Sequence, residues 1–488
     1  MLIKRIFKDY QKLIGTELTV NGWVKTCRDQ KQMMFIHLSD GSSQQTLQVV
    51  VSADVVPNMA ELSKITTGTS LCVKGTLSES PAKGQPFELK ANMVKIYQIC
   101  DQSFPLQKVG LPMEFMRGLP HLRHRSNIMR ACFVVKSEIM NAIHRYFTGE
   151  DYVIVDIPVI TTNACEGGCQ PLQVTSLIDD GKISSVPVKK VFFSQDPPLA
   201  LMTEAYATEI DFSKDFFDNK VYLTVSNQLH LECFAHGMGR VYTITPATRG
   251  EPSQSTKHLA HFNMLEAEFC FGELSDNINL AESCIKYCVQ QAMEKCQEEM
   301  NILDKATNGA LKTKLDKIMN EPFVRIEHQD AITLLATAHE KEPFLDMPAY
   351  DGDLTGEHER FLVKHFNQPV IVMRYPKTVK AFYMPVHHQA EIDGKTIEYV
   401  DCFDLLMDIG EVVGGSQRIW AEQDLVSRMM ELGIDPKHLD WYIDLRKYGS
   451  VPHGGFGLGI ERLTAVITGM ANVKDCISFP ITVHHCKF

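Results

Sequence analysis

The sequence predicts an α+β protein in which an N-terminal β-barrel precedes a larger domain that combines an antiparallel sheet with helices. The barrel is predicted because residues 16–98 contain five short, mostly apolar stretches separated by turn signals. From residue 221 onward, VYLTVS, RVYTITPA and HFNMLEAEF give further strand patterns. Helical patterns cover residues 126–147 and 275–320. A chain of 488 residues is too long for one ordinary core, so two or three domains are expected.

The composition is that of a soluble globular protein without a membrane span. Hydrophobic residues make up 44% of the chain and charged residues 22%. No stretch approaches the roughly 18 uninterrupted apolar residues that a membrane helix needs. The N-terminal MLIKRIFKDYQKLIG predicts an amphipathic helix and no secretory signal. The 14 cysteines are scattered without a C-x-x-C pair, which favours reduced thiols in a cytoplasmic protein.

The charge distribution favours a polyanion site at the barrel. Residues 1–98 hold 12 Lys and Arg against 8 Asp and Glu, a balance of +4, so the rest of the −11 chain carries −11 − 4 = −15. Met34, Ile36 and Leu38 alternate along one predicted strand. If these three face the core, Phe35 faces outward, where an aromatic side chain can stack on an unpaired base. In the opposite register Phe35 belongs to the core, and the residues alone leave both registers open.

A connector separates the barrel from the larger domain. Residues 99–125 contain three prolines with several Gly and Arg residues. Ser126 and Asn127 can cap the long helix that follows, and a β-rich run at 152–157 ends at Pro158. The predicted division is therefore a barrel at 1–98, a linker at 99–125 and a main domain at 126–488, with a helical insertion at about 275–320.

The glycine-rich stretch HGGFGLGIERL, residues 453–463, predicts the floor of a ligand site. Four glycines in six residues let the backbone approach a ligand closely because no Cβ intervenes. The helical pattern behind them places Arg462 in the first turn, at the mouth of this floor. A planar cation there suits a polyphosphate or a flat ring. The glycines taken alone are more typical of close packing between a helix and a strand.

Two further segments carry charges that suit an ATP site. Residues 248–262, TRGEPSQSTKHLAHF, predict a strand–loop–strand hairpin with a polar tip. Asp404 and Glu411 are seven residues apart and suit Mg²⁺ ligation, and Arg418 follows a glycine pair. Activation of a carboxylic acid by ATP requires arginines along the triphosphate, carboxylates for Mg²⁺ and a slot for adenine, because the protein's task is positioning and charge neutralisation.

Together these segments resemble the signature motifs of the class II aminoacyl-tRNA synthetases. Helix, strand and Pro158 follow the layout of motif 1, which implies a homodimer; the hairpin at 248–262 resembles motif 2, and GGFGLGIERL resembles motif 3. The barrel, with Gly-Trp-Val at 22–24, is similar to the anticodon-binding OB-fold of the class IIb enzymes. GEVVGGSQR resembles the asparaginyl and aspartyl branch. The resemblance implies a catalytic antiparallel sheet flanked by helices and favours Phe35 as a base-stacking side chain.

The resemblance also implies roles for individual residues. Arg249 would hold the α-phosphate, Phe262 would stack under adenine and Arg462 would cover its other face. The full set implied for ATP is Arg249, Glu251, His258, Phe262, Glu411, Gly459 and Arg462, with Arg249, Glu411 and Arg462 as the catalytic residues. Asp404 and Glu411 would bind Mg²⁺, and Arg28, Phe35 and Gln48 would contact the anticodon.

The amino acid is predicted from the polarity of its pocket. An asparagine amide needs one donor and one acceptor, whereas an aspartate carboxylate needs donors only. Arg418 can donate, and Glu266 can accept. Leu231 stands where aspartyl enzymes carry a lysine, on a predicted strand that includes Gln228 and faces the amino acid. Glu166 would receive the substrate ammonium.

The resemblance implies ATP-dependent activation of L-asparagine and its transfer to tRNA-Asn. An aspartyl-tRNA synthetase is one alternative, against which Leu231 and Glu266 argue. A catalytically impaired relative that only binds tRNA is another. Four residues of the hairpin depart from the motif 2 pattern and leave that alternative open: Thr248, Gly250, Pro252 and His261.

Overall fold

A computed structural model of the chain describes residues 1–30, 32–55, 59–82, 84–106, 110–163, 170–178, 186–192 and 206–488. The chain forms two compact units, residues 1–131 and 132–488. Glu166, which we predict to bind the substrate ammonium, lies outside the described residues. The domain boundaries at residues 98 and 125 stay predictions.

The first unit is a closed five-stranded barrel. Its strands neighbour one another in the order β1-β2-β3-β5-β4, and every pair is antiparallel except β3 and β5. The closed barrel confirms the predicted OB-fold. Its elements are α1 (Ile3–Leu13), β1 (Glu17–Asp29), β2 (Met33–Ser39), β3 (Leu47–Ser52), α2 (Met59–Leu62), β4 (Ser70–Glu79), β5 (Phe87–Gln98) and α3 (Met113–Arg117).

The alternation of side chains along β2 decides the register that the sequence leaves open. Met34, Ile36 and Leu38 are completely buried in the barrel core, and Phe35 lies half-buried on the opposite face of the strand. The outward register of Phe35 is therefore confirmed. Ile3 of the predicted amphipathic helix α1 is also buried in this core.

The second unit is built around an eight-stranded mixed sheet. Its strand order is β14-β15-β18-β19-β20-β13-β12-β6, with β6/β12 and β14/β15 parallel and all other pairs antiparallel. The strands from residue 127 onward are β6 (Val153–Ile154), β7 (Ile160–Thr161), β8 (Gln173–Val174), β9 (Val188–Phe192), β10 (Tyr206–Ile210), β11 (Val221–Leu223), β12 (Arg240–Thr248), β13 (His261–Cys270), β14 (Val324–Glu327), β15 (Val370–Met373), β16 (Val386–Ile392), β17 (Lys395–Val400), β18 (Cys402–Met407), β19 (Gly410–Gln417) and β20 (His453–Gly459).

Helices accompany this sheet, as predicted. They are α4 (Asn127–Gly149), α5 (Gln228–Met238), α6 (Leu274–Lys295), α7 (Gln297–Ala306), α8 (Ala310–Asn320), α9 (His328–His339), α10 (Gly356–Phe366), α11 (Glu422–Glu431), α12 (Asp440–Lys447) and α13 (Ile460–Thr468). The predicted helical segment at 275–320 corresponds to α6, α7 and α8. Among the residues that the structure describes, no helix is both long and apolar enough to cross a membrane.

Two predicted strands differ from the structure. The run at 152–157 forms only the two-residue strand β6, because Val153 and Ile154 alone pair with β12 before the chain leaves the sheet. The segment from Ser226 to Leu231, predicted as a strand that faces the amino acid, instead begins helix α5. Leu231 and Ala235, four residues apart, share one face of this helix and pack into a buried apolar cluster.

Candidate active site

One cavity of about 740 Å³ in the second unit brings the predicted ATP and amino-acid residues together. Its wall is formed by the β12–β13 hairpin, by β18 and β19, and by the junction of β20 and α13. The predicted residues that line it are Gln228, Arg249, Glu251, His258, Phe262, Glu266, Asp404, Glu411, Arg418, Gly459 and Arg462. Segments as far apart as residues 228 and 462 thus meet in one place.

The glycine-rich strand β20 has two functions that the sequence could not separate. Gly455 packs against β13, where a β-carbon would come within 2.2 Å of the Ala267 carbonyl oxygen. Gly457 and Gly459 line the cavity instead. The close-packing interpretation therefore holds for the first half of the stretch, and the ligand-floor interpretation fits the second half.

Arg462 is held in place by backbone and side-chain oxygens. It lies in the first turn of α13, whose buried Ile460 and Leu463 fix the helix against the sheet. Its Nη1 donates to the carbonyl oxygen of Glu411 at 2.6 Å and approaches the Glu411 carboxylate at 3.4 Å. Its Nε donates to the Lys257 carbonyl oxygen at 3.3 Å. The guanidinium thereby links α13, β19 and the hairpin loop at the cavity wall.

The β12–β13 hairpin supplies the second group of charges. The Arg249 guanidinium lies 5.5 Å from the centre of the Phe262 ring. Nδ1 of His258 lies 2.6 Å from the Ser255 hydroxyl, and burial lowers the pKa of His258. Gly250, one of the departures from motif 2, donates its N–H to the Gln170 carbonyl at 2.9 Å, and a β-carbon there would crowd the same oxygen.

Asp404 and Glu411 converge over a glycine. A β-carbon at Gly414 would lie 2.9 Å from Oε1 of Glu411 and 3.5 Å from Oδ1 of Asp404. The other oxygen of Asp404 accepts from Lys380 at 2.8 Å. Both carboxylates line the cavity, and carboxylate oxygens are ligands that Mg²⁺ accepts, with water and phosphate completing the shell. The residues therefore fit a magnesium ion.

The charges around these carboxylates set their protonation. Burial raises the pKa of Asp404 to about 6, although Lys380 opposes the increase. Burial acts in the same direction on Glu411, but the attraction of Arg462 and Lys380 outweighs it and lowers the pKa of Glu411. Glu411 is therefore anionic at neutral pH. Lys380 is a residue that the sequence reasoning missed, because nothing in Tyr-Pro-Lys-Thr-Val-Lys separates it from a surface lysine.

Glu266 and Glu268 project into the amino-acid end of the cavity from alternate positions of β13. Glu266 accepts from the hydroxyl of Ser226 at 2.5 Å and from the backbone N–H of Asn227 at 3.0 Å. Glu268 accepts from Nη2 of Arg418 at 2.5 Å. Arg418 thus pairs with Glu268, a residue that the sequence analysis did not select, whereas Glu266, the predicted acceptor for the substrate amide, lies beside it in the cavity lining.

A buried network of hydrogen bonds and ion pairs around Glu232 lies next to Arg418. Glu232 of α5 accepts from Arg446 at 2.8 Å and from the Tyr442 hydroxyl at 2.8 Å, and its carboxylate lies 2.9 Å from Nε2 of His453. Nε of Arg418 lies 3.8 Å from the same carboxylate. These side chains are all buried. Burial and the neighbouring Glu232 raise the pKa of Glu268 to about 8, although Arg418 opposes them.

Leu231 does not line the cavity. Its side chain packs with Val155, Ile157, Ala235 and Val241 on the opposite side of α5. The prediction that Leu231 contacts the amino acid is therefore not supported, because the segment is helical and turns this side chain away. Gln228, one helical turn earlier, does line the cavity and donates to Glu232 at 3.1 Å.

Lys257 anchors the hairpin loop to the neighbouring helix α10. Its ammonium lies 2.5 Å from the Glu359 carboxylate, and both side chains are largely buried. Gly410, with a φ of +103°, makes room for this pair, because a β-carbon there would come within 2.5 Å of Glu359 and 3.0 Å of the Lys257 ammonium. No pattern in the sequence indicates this contact, since Glu359 lies 102 positions from Lys257.

The predicted anticodon residues share one outer face of the barrel. Arg28 of β1 lies directly opposite Phe35 of β2, and Gln48 of β3 lies opposite His37, two residues along from Phe35. Side chains two apart on a strand share a face. The first unit therefore presents Arg28, Phe35, His37 and Gln48 side by side, as the base-stacking hypothesis requires.

Comparisons with known proteins agree with these observations. The family described as tRNA synthetases class II (D, K and N) matches residues 113–483, and the OB-fold nucleic acid binding domain matches residues 18–97. The chain belongs to the class II tRNA synthetases. Within this family it is 40% identical over 480 residues to the asparagine–tRNA ligase of Porphyromonas gingivalis, covering 98% of this chain and 96% of that protein. The Acetivibrio thermocellus asparagine–tRNA ligase is 38% identical over 489 residues, covering 100% and 99%.

A solved structure of this synthetase family has the same fold. The asparaginyl-tRNA synthetase from Pyrococcus horikoshii, crystallised with asparaginyl-adenylate, superimposes with a TM-score of 0.78 at 28% identity. The match covers 96% of each chain. The similarity therefore spans both the barrel and the catalytic unit.

Proposed function

We propose that this synthetase is an asparagine–tRNA ligase, which activates L-asparagine with ATP and transfers it to the 3′ end of tRNA-Asn. The observation that carries the proposal is the convergence of the ATP residues, the two carboxylates and the Arg418–Glu268 pair in one cavity. Full-length relatives that carry this name support it.

The proposed chemistry needs alignment and charge neutralisation from the protein. Arg249 neutralises the α-phosphate and the substrate carboxylate as the carboxylate attacks phosphorus and pyrophosphate leaves. Phe262 and Arg462 hold adenine between them, while Glu251 and His258 contact the base and the outer phosphates. Asp404 and Glu411 would hold Mg²⁺, which would supply charge neutralisation on the triphosphate. Gly457 and Gly459 leave room for the ligand.

The amino-acid end of the cavity favours asparagine over aspartate. The amide of asparagine can accept from Arg418 and donate to Glu266 or Glu268. An aspartate carboxylate would bring a further negative charge to a position where burial and Glu232 already raise the pKa of Glu268. It would also compete with Glu268 for Arg418. Glu266 therefore keeps the discriminating role that the sequence predicts for it, and Glu268 takes the place of Leu231.

Exchange of pyrophosphate into ATP tests the proposal directly. Purified protein, ATP and Mg²⁺ should support exchange with asparagine and at least 100-fold less exchange with aspartate. Exchange driven by aspartate would instead indicate an aspartyl enzyme. Absence of exchange with either amino acid, together with retained tRNA binding, would favour the impaired relative.

Three further elements complete the proposal. The exposed apolar side chains Val153, Ile154, Val159 and Ile160 on and next to the short strands β6 and β7 support a homodimer, which light scattering would test. Arg28, Phe35 and Gln48 contact the anticodon. The proposed compartment is the cytoplasm, in keeping with the scattered cysteines; those that the structure describes are free thiols.

A further inference from the structure

A buried carboxylate joins the two chain segments that carry the proposed adenine residues. Glu461 lies in the first turn of α13, immediately before Arg462, and its side chain is 2% exposed. Its Oε2 accepts from the backbone N–H of Asn263 at 2.9 Å, and its Oε1 accepts from Nδ2 of the same residue at 2.7 Å. Asn263 lies on β13, immediately after Phe262. The neighbour of Arg462 is thus hydrogen-bonded to the neighbour of Phe262.

The course of the chain explains why a side chain makes this connection. Strand β20 pairs with β13 as far as Gly459, which lies opposite Met264, and the chain then turns into α13. The backbone pairing therefore ends one residue before Asn263 is reached. The Glu461 carboxylate accepts from Asn263 beyond this end, so it continues the connection between β13 and α13 after the strands have separated.

Lys136 of α4 pairs with the same carboxylate from a third element. Its Nζ donates to Oε1 of Glu461 at 2.6 Å, and the Lys136 side chain is 11% exposed. A carboxylate buried this deeply needs a partner that compensates its charge. The ammonium, the Asn263 side-chain amide and the Asn263 backbone N–H are all donors, so both oxygens of Glu461 are needed as acceptors.

We propose that Glu461 and Lys136 are positioning residues that set the spacing of the adenine slot between Phe262 and Arg462. This inference rests on the proposed function, which assigns adenine to that slot. Glu461 holds the backbone next to Phe262 against the first turn of α13, and Lys136 holds the carboxylate in place. A looser connection should therefore weaken binding of the base more than binding of the phosphates.

Ligands that separate the base from the phosphates test the inference by isothermal titration calorimetry. AMP presents the base with one phosphate, and inorganic tripolyphosphate presents phosphates only. Glu461→Gln replaces one acceptor oxygen by an NH₂ group, so at least one of the three donors loses its acceptor. The Kd for AMP should rise about 5- to 12-fold, in the upper part of the effect of one lost hydrogen bond, and the Kd for tripolyphosphate should stay within about twofold.

Glu282→Gln is a matched control elsewhere in the second unit. Glu282 of α6 also joins a lysine to a backbone N–H, with Lys286 at 2.8 Å and the N–H of Phe323 at 3.2 Å, but it does not line the active-site cavity. This control should lower the thermal midpoint and leave both Kd values unchanged. An equal rise of its Kd for AMP would attribute the effect of Glu461→Gln to lost stability and overturn the inference.

The double variant Lys136→Met with Glu461→Gln tests the role of the lysine. Without the ammonium, the introduced amide can accept from the Asn263 N–H and donate to the Asn263 side-chain oxygen, once that side chain turns its amide over. The double variant should therefore bind AMP within about twofold of the original protein. If it binds AMP no better than Glu461→Gln does, Lys136 is not part of the connection.

The remaining outcomes overturn the inference and the proposed function separately. An unchanged Kd for AMP in a folded Glu461→Gln variant would show that the slot does not depend on Glu461. An equal rise for AMP and tripolyphosphate would give Glu461 a structural role in the cavity as a whole. If Glu461→Gln does not fold, Asn263→Ala at a half-buried position removes one bond only, and an unchanged Kd for AMP there would overturn the inference. Lack of pyrophosphate exchange in the unsubstituted protein would instead refute the proposed function.

Discussion

The ion pair between Lys257 and Glu359 should control how well the hairpin loop presents its ATP residues. We expect Glu359→Gln to raise KM for ATP several-fold, because the loop that carries Arg249, Glu251 and His258 loses its anchor on α10. KM for asparagine should rise less, since the loop contributes only Arg249 to the asparagine carboxylate, whereas Glu268 on β13 and Arg418 after β19 are anchored by the sheet. Pyrophosphate exchange at varied ATP and varied asparagine separates the two effects.

The expected strength of the pair follows from its burial. The side chains are 16% and 10% exposed, and the ammonium and carboxylate are 2.5 Å apart. Exposed ion pairs contribute about 0.2–1 kcal/mol. Contacting residues in a shared network couple by about 0.5–3 kcal/mol, and this burial places the pair in the upper part of that range, at about 1–3 kcal/mol.

A double-mutant cycle measures that coupling. The free energy of unfolding in urea is compared for the original chain, Lys257→Met, Glu359→Gln and the double variant, with Glu340→Gln as an exposed control on the surface after α9. A coupling below about 0.5 kcal/mol together with an unchanged KM for ATP would refute the reasoning. Coupling without a change in KM would restrict the pair to a structural role.

Three further predictions concern pH, the barrel and the amino-acid end. Burial lowers the pKa of His328 from 6.5 to about 4, so as the pH falls below 6.5 the unfolded chain takes up this proton before the folded chain does, and the free energy of unfolding decreases. His328→Phe should therefore remove about 2 kcal/mol of the loss in unfolding free energy, measured in urea, between pH 7 and pH 5. An identical loss in both proteins would contradict the assignment. Phe35→Ala should weaken tRNA charging by about 5- to 150-fold and spare pyrophosphate exchange, whereas equal loss of both would assign Phe35 a structural role. Arg418→Leu should raise KM for asparagine at least 100-fold. It should also destabilise the fold by about 3–5 kcal/mol, because Glu268 stays buried without its partner. A normal KM for asparagine would show that Arg418 does not bind the amide.

Local sequence patterns were sufficient to predict the barrel, the β12–β13 hairpin and the junction of β20 with α13. Alternation of Met34, Ile36 and Leu38 predicts a strand in which one face is buried, although it cannot say which face. The strand prediction for Ser226–Leu231 was wrong because a short apolar stretch of this kind fits either a strand or the first turn of a helix. Packing of Leu231 against β12 decides between them, and that packing is a long-range property.

The missed residues share a physical cause. Lys380, Glu268 and Glu359 matter because of partners that lie 24, 150 and 102 positions away in the chain. A sequence pattern reports neighbours along the chain, whereas charge pairing depends on neighbours in space. Motif resemblance found the residues that face the ligand, but it gave no information about the groups that hold them in place.

The buried network around Glu232 limits how the amino-acid preference of this enzyme can change. Replacement of Arg418 alone leaves the Glu268 carboxylate without its ion pair. Replacement of Glu268 alone leaves Glu232 as the nearest carboxylate to Arg418, and Glu232 already interacts with Arg446 and His453. Each single step therefore costs stability before it can change selectivity. A laboratory library that aims at a new amino acid should vary the network as a block, starting from a stabilised parent. Stepwise evolution toward another side chain would have to pass through poorly folded intermediates.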